Sequence, residues 1–364
     1  MMAMRFLLAH SMTTFPALLP VTLPYIFLMT LTLPFAISLH FLPMPCFNPL
    51  PAVRSADDTN KVLVCKRGTF LAPTLIKGTG EYLEPFQVPC GHCPGCALDK
   101  ANQWALRLCC EYETDTTWRD KCWFITLTYD DDHIPHTPNG LCTLRKKDVQ
   151  DFIKRLRYHH LSWDIRYYVS GEYGSHTYRP HYHMIIFNLP IDDLQVYSRG
   201  ENPLFTSRFI DGVWRNGSCK IGELTYQSCA YTARYTMKKI FNGNKYALQD
   251  LGIEPEFSLS SRRPAIGFRF LQSHYEEVLK YEKILVPPSG DNPPRNLPLP
   301  PYFLQKISQI DPLVVARIKS RRSQLRELST ITHTVLSGLT EDEYLKAVEE
   351  NLLSRIKSLK RGLK

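Results

Sequence analysis

Between Arg5 and Arg54 the chain has no Lys, Arg, Asp or Glu, and residues 15–39 are mostly apolar. On hydropathy alone, such a stretch reads as an export signal or a membrane span. It lacks the unbroken run that either would need. Pro16, Pro20, Pro24 and Pro34 cut it into pieces shorter than a spanning helix, and a proline inside a helix costs about 3 kcal/mol. A clean cleavage site is also missing. Three readings of residues 1–53 stay open: a poorly ordered apolar extension or over-long start, a membrane-associating segment, and an export signal. No internal repeat is present, which excludes solenoids and propellers.

An even, regularly spaced cysteine set is absent as well. The eleven cysteines are odd in number and several are crowded together, unlike the disulfide framework of a secreted protein, and they point to a reducing cytosol. The 364 residues suffice for more than one domain, and a net charge of +9 with 12% aromatic residues fits a nucleic-acid partner without demanding one.

Cys65 opens a segment rich in glycine and proline that leads to Pro89-Cys90-Gly91-His92-Cys93-Pro94-Gly95-Cys96. Three cysteines at this spacing, with glycines that let the loop turn tightly, read as thiolate ligands of a structural Zn²⁺. A tetrahedral ion needs a fourth ligand. Cys65 is the first choice, followed by His92, Cys109 and Cys110. The spacing also occurs in iron–sulfur proteins, which usually add a fourth cysteine at a fixed short interval. Residues 97–113 follow as a helix, with Trp104, Leu108 and Tyr112 on one face.

Residues 122–129, CWFITLTY, read as a central strand that ends in the acidic cluster Asp130-Asp131-Asp132. That cluster is either a solvated turn or, through Asp130, the rim of a site. Residues 143–159 read as an amphipathic helix with Leu144, Val149, Phe152, Ile153 and Leu156 inward. The stretch Gly171 to His183, GEYGSHTYRPHYH, runs directly into the apolar Met184-Ile185-Ile186-Phe187, a buried strand; residues 164–169 read as its neighbour. Side chains at i and i+2 share a strand face, so His181 and His183 project together while Tyr182 points away. Folding back at Gly171, Gly174 and Pro180 brings Glu172 beside the pair. Two imidazoles and a carboxylate suit Mg²⁺, Mn²⁺ or another divalent ion that also holds substrate oxygens. An isolated HxH is short and common, so the pair needs a partner motif.

Residues 230–239, AYTARYTMKK, supply one. In a helix, Tyr231, Tyr235 and Lys238 fall on a single stripe. Aromatic stripes are usually core, but an ammonium is a poor core residue. Ser261-Arg262-Arg263-Pro264 is a basic turn suited to phosphate. Residues 283–301 are Pro-rich and read as a linker, and residues 302–364 read as basic and helical. The pieces together describe phosphodiester chemistry: a metal polarises the phosphate, a tyrosine attacks it, a lysine stabilises charge, and a second tyrosine reseals the strand.

These motifs, in this order from about Val64 to Phe270, resemble the HUH endonucleases of rolling-circle replication. In particular the chain is similar to the replication initiators (Rep proteins) of the Microviridae, gokushovirus type, such as those of Chlamydia phages. The resemblance implies an α+β fold with a central antiparallel sheet and flanking helices, beside a zinc-knuckle-like segment. It divides the chain into an apolar extension (1–53), a cysteine-rich segment (54–115), the endonuclease domain (116–282), the linker (283–301) and the C-terminal region (302–364). It also implies His181, His183 and Glu172 as ligands of catalytic Mg²⁺ or Mn²⁺, and Tyr231 and Tyr235 as nucleophiles with Lys238 assisting. Structural zinc is expected on Cys65, Cys90, Cys93 and Cys96, and Arg234, Lys239, Arg262 and Arg263 are expected to contact DNA. The implied activity is nicking at the phage origin through a covalent 5′-phosphotyrosyl link, followed by religation. Single- and double-stranded origin DNA and the host helicase and polymerase would be the partners, in the cytoplasm of the bacterial host and away from membrane. The apolar extension departs from the family's pattern. Rival readings are a relaxase or transposase of the same superfamily, a non-catalytic zinc-dependent nucleic-acid binder, and a non-haem iron oxygenase, which gives the tyrosines no role.

Overall fold

The computed structural model describes residues 46–55, 62–66, 68–75, 82–161, 163–174, 176–200, 202–241, 245–286 and 294–359; of residue 74 and of residues 234–241, 245–247 and 356–359 only the backbone is described. The first elements are short. β1 (Leu50–Arg54) pairs with β2 (Val62–Val64) and, across a hairpin of β3 (Thr74–Leu75) and β4 (Tyr82–Leu83), with β5 (Phe86–Val88). β1 therefore starts inside the stretch assigned to the apolar extension, and the folded body is already present at Cys46 and Phe47, both buried. Hydropathy did not mark this boundary, because the strand is as uncharged as the residues before it until Arg54.

The long helix α1 (Pro94–Glu113) is followed by a 3₁₀ turn (Thr116–Lys121), then β6 (Trp123–Thr128), α2 (Lys146–His159), β7 (Arg166–Tyr173), β8 (Pro180–Phe187), β9 (Gln195–Ser198), β10 (Leu204–Thr206), α3 (Arg208–Trp214), β11 (Cys219–Glu223), α4 (Tyr226–Phe241), α5 (Lys245–Asp250) and β12 (Phe257–Ser260). The strands form one antiparallel sheet in the order β12-β7-β8-β6-β11-β10-β9. β8 lies inside it, and its apolar run is buried on both faces, as expected of a strand covered from two sides. The class is thus α+β with a central antiparallel sheet, as expected.

Strand alternation divides the residues between two cores. One face carries Ile125, Leu127, Val169, Tyr182, Met184 and Ile186 against Val149, Phe152, Ile153 and Leu156 of α2 and Ile210, Val213 and Trp214 of α3. The opposite face carries Tyr168, Ile185 and Phe187 against Leu108 of α1 and Cys229 of α4. On its outer side α1 contributes Leu106 and Cys110 to a further cluster with α6 (Phe268–Ser273), α7 (Tyr275–Tyr281), β13 (Lys283–Val286), β14 (Arg295–Pro298), α8 (Pro301–Ser308) and α9 (Pro312–Ser337). The last helix is α10 (Glu341–Leu359). The Pro-rich segment 283–301 is therefore more than a linker: β13 and β14 pair, with Ile284 and Val286 turned into the core. Two alternating apolar residues ahead of a proline cluster are too short a signal to read as a strand.

A buried ion pair ties the two halves together. Arg166, at the start of β7, donates to Glu111 of α1, and both are essentially inaccessible to solvent. The second Glu111 oxygen accepts from the Gly267 N–H at 2.5 Å, and Arg166 also donates to the Pro264 carbonyl at 2.9 Å. Both partners' polar atoms thus have further bonds, the condition under which a buried charge pair is tolerated. The pair anchors the turn after β12, which carries Arg262 and Arg263.

Candidate active site

Antiparallel pairing of β7 and β8 sets Glu172 opposite His181 and Ser170 opposite His183; on the other flank of β8, Thr128 stands opposite His181 and Thr126 opposite His183. With the strand period of two, Glu172, His181 and His183 all fall on the face that α1 and α4 cover. One ligand atom from each lies within 4.8 Å of the others, and Glu172 and His183 are buried, at 1% and 8% exposure.

The ring orientations are fixed by neighbours. His181 Nδ1 lies 3.2 Å from the Arg179 carbonyl. A carbonyl only accepts, so Nδ1 carries the proton, and in the neutral ring Nε2 carries the lone pair that a metal needs. His183 Nδ1 lies 3.1 Å from the Thr126 hydroxyl, which can accept in the same way. Both imidazoles therefore have the outer hydrogen bond common to metal-bound histidine. The donor set and its geometry fit a divalent ion.

Tyr231 comes from the helix above. Its ring meets His183 edge-on at 5.5 Å between centroids and Phe124 at 6.0 Å, while Phe124 stacks on His183 at 5.6 Å with the planes 12° apart. The helix is seated by buried Cys229, Thr232 and Ala233, and its start is closed by reciprocal bonds between Thr225 and Ser228. Tyr231 is thus held beside the three ligands. Tyr235 and Lys238 follow in the same helix, as do Arg234 and Lys239; the side chains of all four lie outside the described residues.

Tyr182, between the two histidines, has a different role. It faces the other core, its hydroxyl 2.8 Å from the Tyr129 hydroxyl, and accepts from the Arg145 N–H at 2.9 Å. Burial pushes its phenol up to about 12. It is a structural residue, not a nucleophile.

Other expected residues lie apart. Asp130 is exposed and bonds His133 at 2.6 Å, which holds its carboxyl below the usual carboxylate range; it is not among the three clustered ligands. Arg262 and Arg263 are exposed and line a cleft of about 520 Å³ with Arg157, Arg166 and Asp164. That cleft opens at the start of β7, whereas Glu172 is near its end, a separation of about 20 Å at the strand rise. The cysteines of the knuckle do assemble, with a different fourth member. Cys90, Cys93 and Cys96 are joined by Cys46, one sulfur from each lying within 4.8 Å of the others. Cys65 sits just past β2, its N–H bonded to the Pro51 carbonyl at 2.8 Å, outside that group. His92 is exposed. Cys109 and Cys110 are more than a dozen residues along α1 from Cys96, about 20 Å away at the helical rise.

Sequence reasoning missed Thr126, Arg179 and Cys46. Alternation along 122–129 was enough to place Thr126 on the histidine face. The unmet need for a fourth thiol was the one signal for Cys46.

The fold and site thus define an α+β protein whose sheet presents a carboxylate and two histidines to a helix-borne tyrosine. A family model described as replication-associated protein ORF2 matches residues 122–240, the interval that holds all of these residues. The replication-associated protein ORF2 of Spiroplasma virus 4 is 32% identical over 293 residues, covering 78% of this chain and 88% of the relative. The replication-associated protein VP4 of Bdellovibrio phage phiMH2K is 32% identical over 268 residues, covering 70% and 79%. The replication-associated protein ORF4 of Chlamydia phage 1 is 27% identical over 210 residues, covering 55% and 50%. The chain belongs to this family, the replication-associated (Rep) proteins of the Microviridae. No solved structure matches it significantly.

Proposed function

We propose that the protein acts in initiation of phage DNA replication as a nickase and strand transferase of the HUH type. The observation that carries this reading is the placement of the Tyr231 ring against His183, within the group that includes His181 and Glu172. A divalent ion, Mg²⁺ or Mn²⁺, would be held by His181, His183 and Glu172 and would supply charge neutralisation on the non-bridging oxygens of the scissile phosphate. The residues of the chain do the rest. Thr126 and Arg179 hold the two rings, so that little reorganisation is needed when the phosphate arrives. The Phe124 and His183 rings fix the direction from which the Tyr231 hydroxyl approaches, which favours in-line attack.

The phenol has a free pKa of about 10 and must lose its proton as it attacks. Its oxygen forms a bond to phosphorus, and the bond from phosphorus to the 3′ oxygen breaks. The DNA is left with a 3′-hydroxyl and a 5′ end esterified to tyrosine. Lys238 is assigned to the charge that develops on phosphate or phenolate, and Tyr235 to the second, resealing attack. No ATP is required, because each step exchanges one phosphodiester for another. Arg234, Lys239, Arg262 and Arg263 would hold DNA backbone phosphates. The partners are origin DNA, single- and double-stranded, and the host helicase and polymerase, in the bacterial host. Among the described residues no helix is long and apolar enough to cross a membrane.

The test is incubation of the protein with a single-stranded origin oligonucleotide and Mg²⁺ or Mn²⁺, followed by a denaturing gel. A covalent protein–DNA band is expected, removed by chelator and by the double change His181→Ala and His183→Ala with circular dichroism unchanged. A double variant that still forms the band would remove the histidines from the mechanism, and wild-type protein that never forms it would remove the covalent chemistry.

A further inference from the structure

The four thiols at the start of α1 form a second site, and the structure argues what it holds. Cys93 and Cys46 sulfurs are 3.9 Å apart and those of Cys90 and Cys96 are 4.0 Å apart. A disulfide needs about 2.05 Å, so these are not bonded pairs. A zinc–sulfur bond of about 2.3 Å, in a regular tetrahedron, sets the sulfurs about 3.8 Å from one another. The observed spacings match that single-ion tetrahedron; a multi-iron cluster would hold its cysteines farther apart.

The backbone around the sulfurs points the same way. Cys90 Sγ accepts from the N–H groups of His92 at 3.4 Å and Cys93 at 3.3 Å; Cys93 Sγ accepts from Phe47 at 3.4 Å and Cys96 at 3.5 Å; Cys46 Sγ accepts from Cys90 at 3.2 Å. Neutral thiols are weak acceptors, and so many donors converging on sulfur are the surroundings of thiolates. Cys93 also caps α1, with Pro94 in the first turn, so a negative sulfur sits at the positive end of a long helix. Gly91 has φ +78°, and a turn of that hand between Cys90 and Cys93 is open to glycine with little strain.

We propose that Cys46, Cys90, Cys93 and Cys96 bind one structural Zn²⁺ that clamps three separate parts of the chain. The first is the segment at Cys46 and Phe47; the second is the knuckle that begins α1; the third is α10. Leu345, Val348 and Leu352 of α10 pack on Cys46, Phe47 and Cys93 in one apolar cluster. None of these segments pairs with the large sheet, so the ion is the strongest bond among them. The clamp also fixes the first turn of α1, the helix that packs along α4 and its Tyr231. All four coordination positions are filled by protein sulfur, which makes the site structural and not catalytic. It is independent of the triad on β7 and β8.

The experiment uses the full-length chain, purified under reducing conditions without added metal. Elemental analysis is expected to find about one zinc per chain, as a closed four-ligand site requires. Co²⁺ exchanged into the site is expected to give the visible bands of a tetrahedral ion with intense sulfur charge transfer. Cys46→Ser should lose the zinc, whereas Cys65→Ser should retain it. Because Cys46→Ser risks misfolding, the wild type is also pulsed with iodoacetamide and mapped by mass spectrometry. Cys46, Cys90, Cys93 and Cys96 should be protected until the metal is chelated, with Cys65 modified in both states. Retention of zinc by Cys46→Ser, loss of it by Cys65→Ser, modification of Cys46 at one rate with and without chelator, or iron in place of zinc would each overturn the assignment.

Discussion

At the scale of single residues, the site is governed by which ring nitrogen carries the proton. The Arg179 carbonyl decides this for His181, and the Thr126 hydroxyl is placed to decide it for His183. Removing the Thr126 oxygen while keeping its shape leaves His183 free to take the other tautomer, with the proton on the nitrogen that should face the metal. Thr126→Val is therefore expected to weaken Mn²⁺ binding about 10- to 100-fold, while Thr126→Ser keeps most of it. Titration calorimetry on both variants checks this; equal affinity in wild type and Thr126→Val would show that the hydroxyl does not orient the ring. The histidines and Glu172 were legible in the sequence because a period of two is a local rule. Thr126 obeys the same rule and was overlooked, because a threonine in a strand usually signals only β propensity.

At the scale of elements, the local patterns transferred well. The apolar spacing of 143–159 became α2, the run Met184–Phe187 became the buried end of β8, and the stripe at 230–239 became part of α4. What no local pattern carries is a contact between distant positions. Glu111 was read as a polar residue at the end of a helix and Arg166 as one residue of a strand. The fold brings them together across 55 positions and hides both from water. Their pairing decides a stability question. Glu111→Ala leaves the Arg166 guanidinium buried without its carboxylate and also leaves the Gly267 N–H unanswered. It is expected to cost about 3–5 kcal/mol, read as a lower urea midpoint by far-ultraviolet circular dichroism. A loss within the few tenths of a kcal/mol usual for a surface change would mean that solvent reaches the pair.

At the scale of the whole molecule, the order of motifs was legible and the edges were not. The family interval, the class of fold and the helical C-terminal region followed from the sequence, whereas the folded body begins earlier than charge and hydropathy implied, and Cys46 lay hidden in an uncharged stretch. The molecule's full cycle depends on what α4 carries. A replication round that ends by cutting a regenerated origin needs a free nucleophile while another still holds the 5′ end. Tyr231 and Tyr235 lie one turn apart, about 6 Å along the axis, so both hydroxyls are within side-chain reach of one phosphate position. Tyr231→Phe and Tyr235→Phe are each expected to retain some first-strand cleavage of an origin oligonucleotide, and the double Phe variant to form no adduct. Each single variant should fail to release closed unit-length circles over repeated turnover, because its one tyrosine is occupied when the second cut is due. Peptide mapping of the trapped adduct, run beside a circle-release assay, separates the possibilities. DNA found on Tyr231 alone, together with circles from Tyr235→Phe at the wild-type rate, would exclude alternation and leave Tyr231 as the single nucleophile.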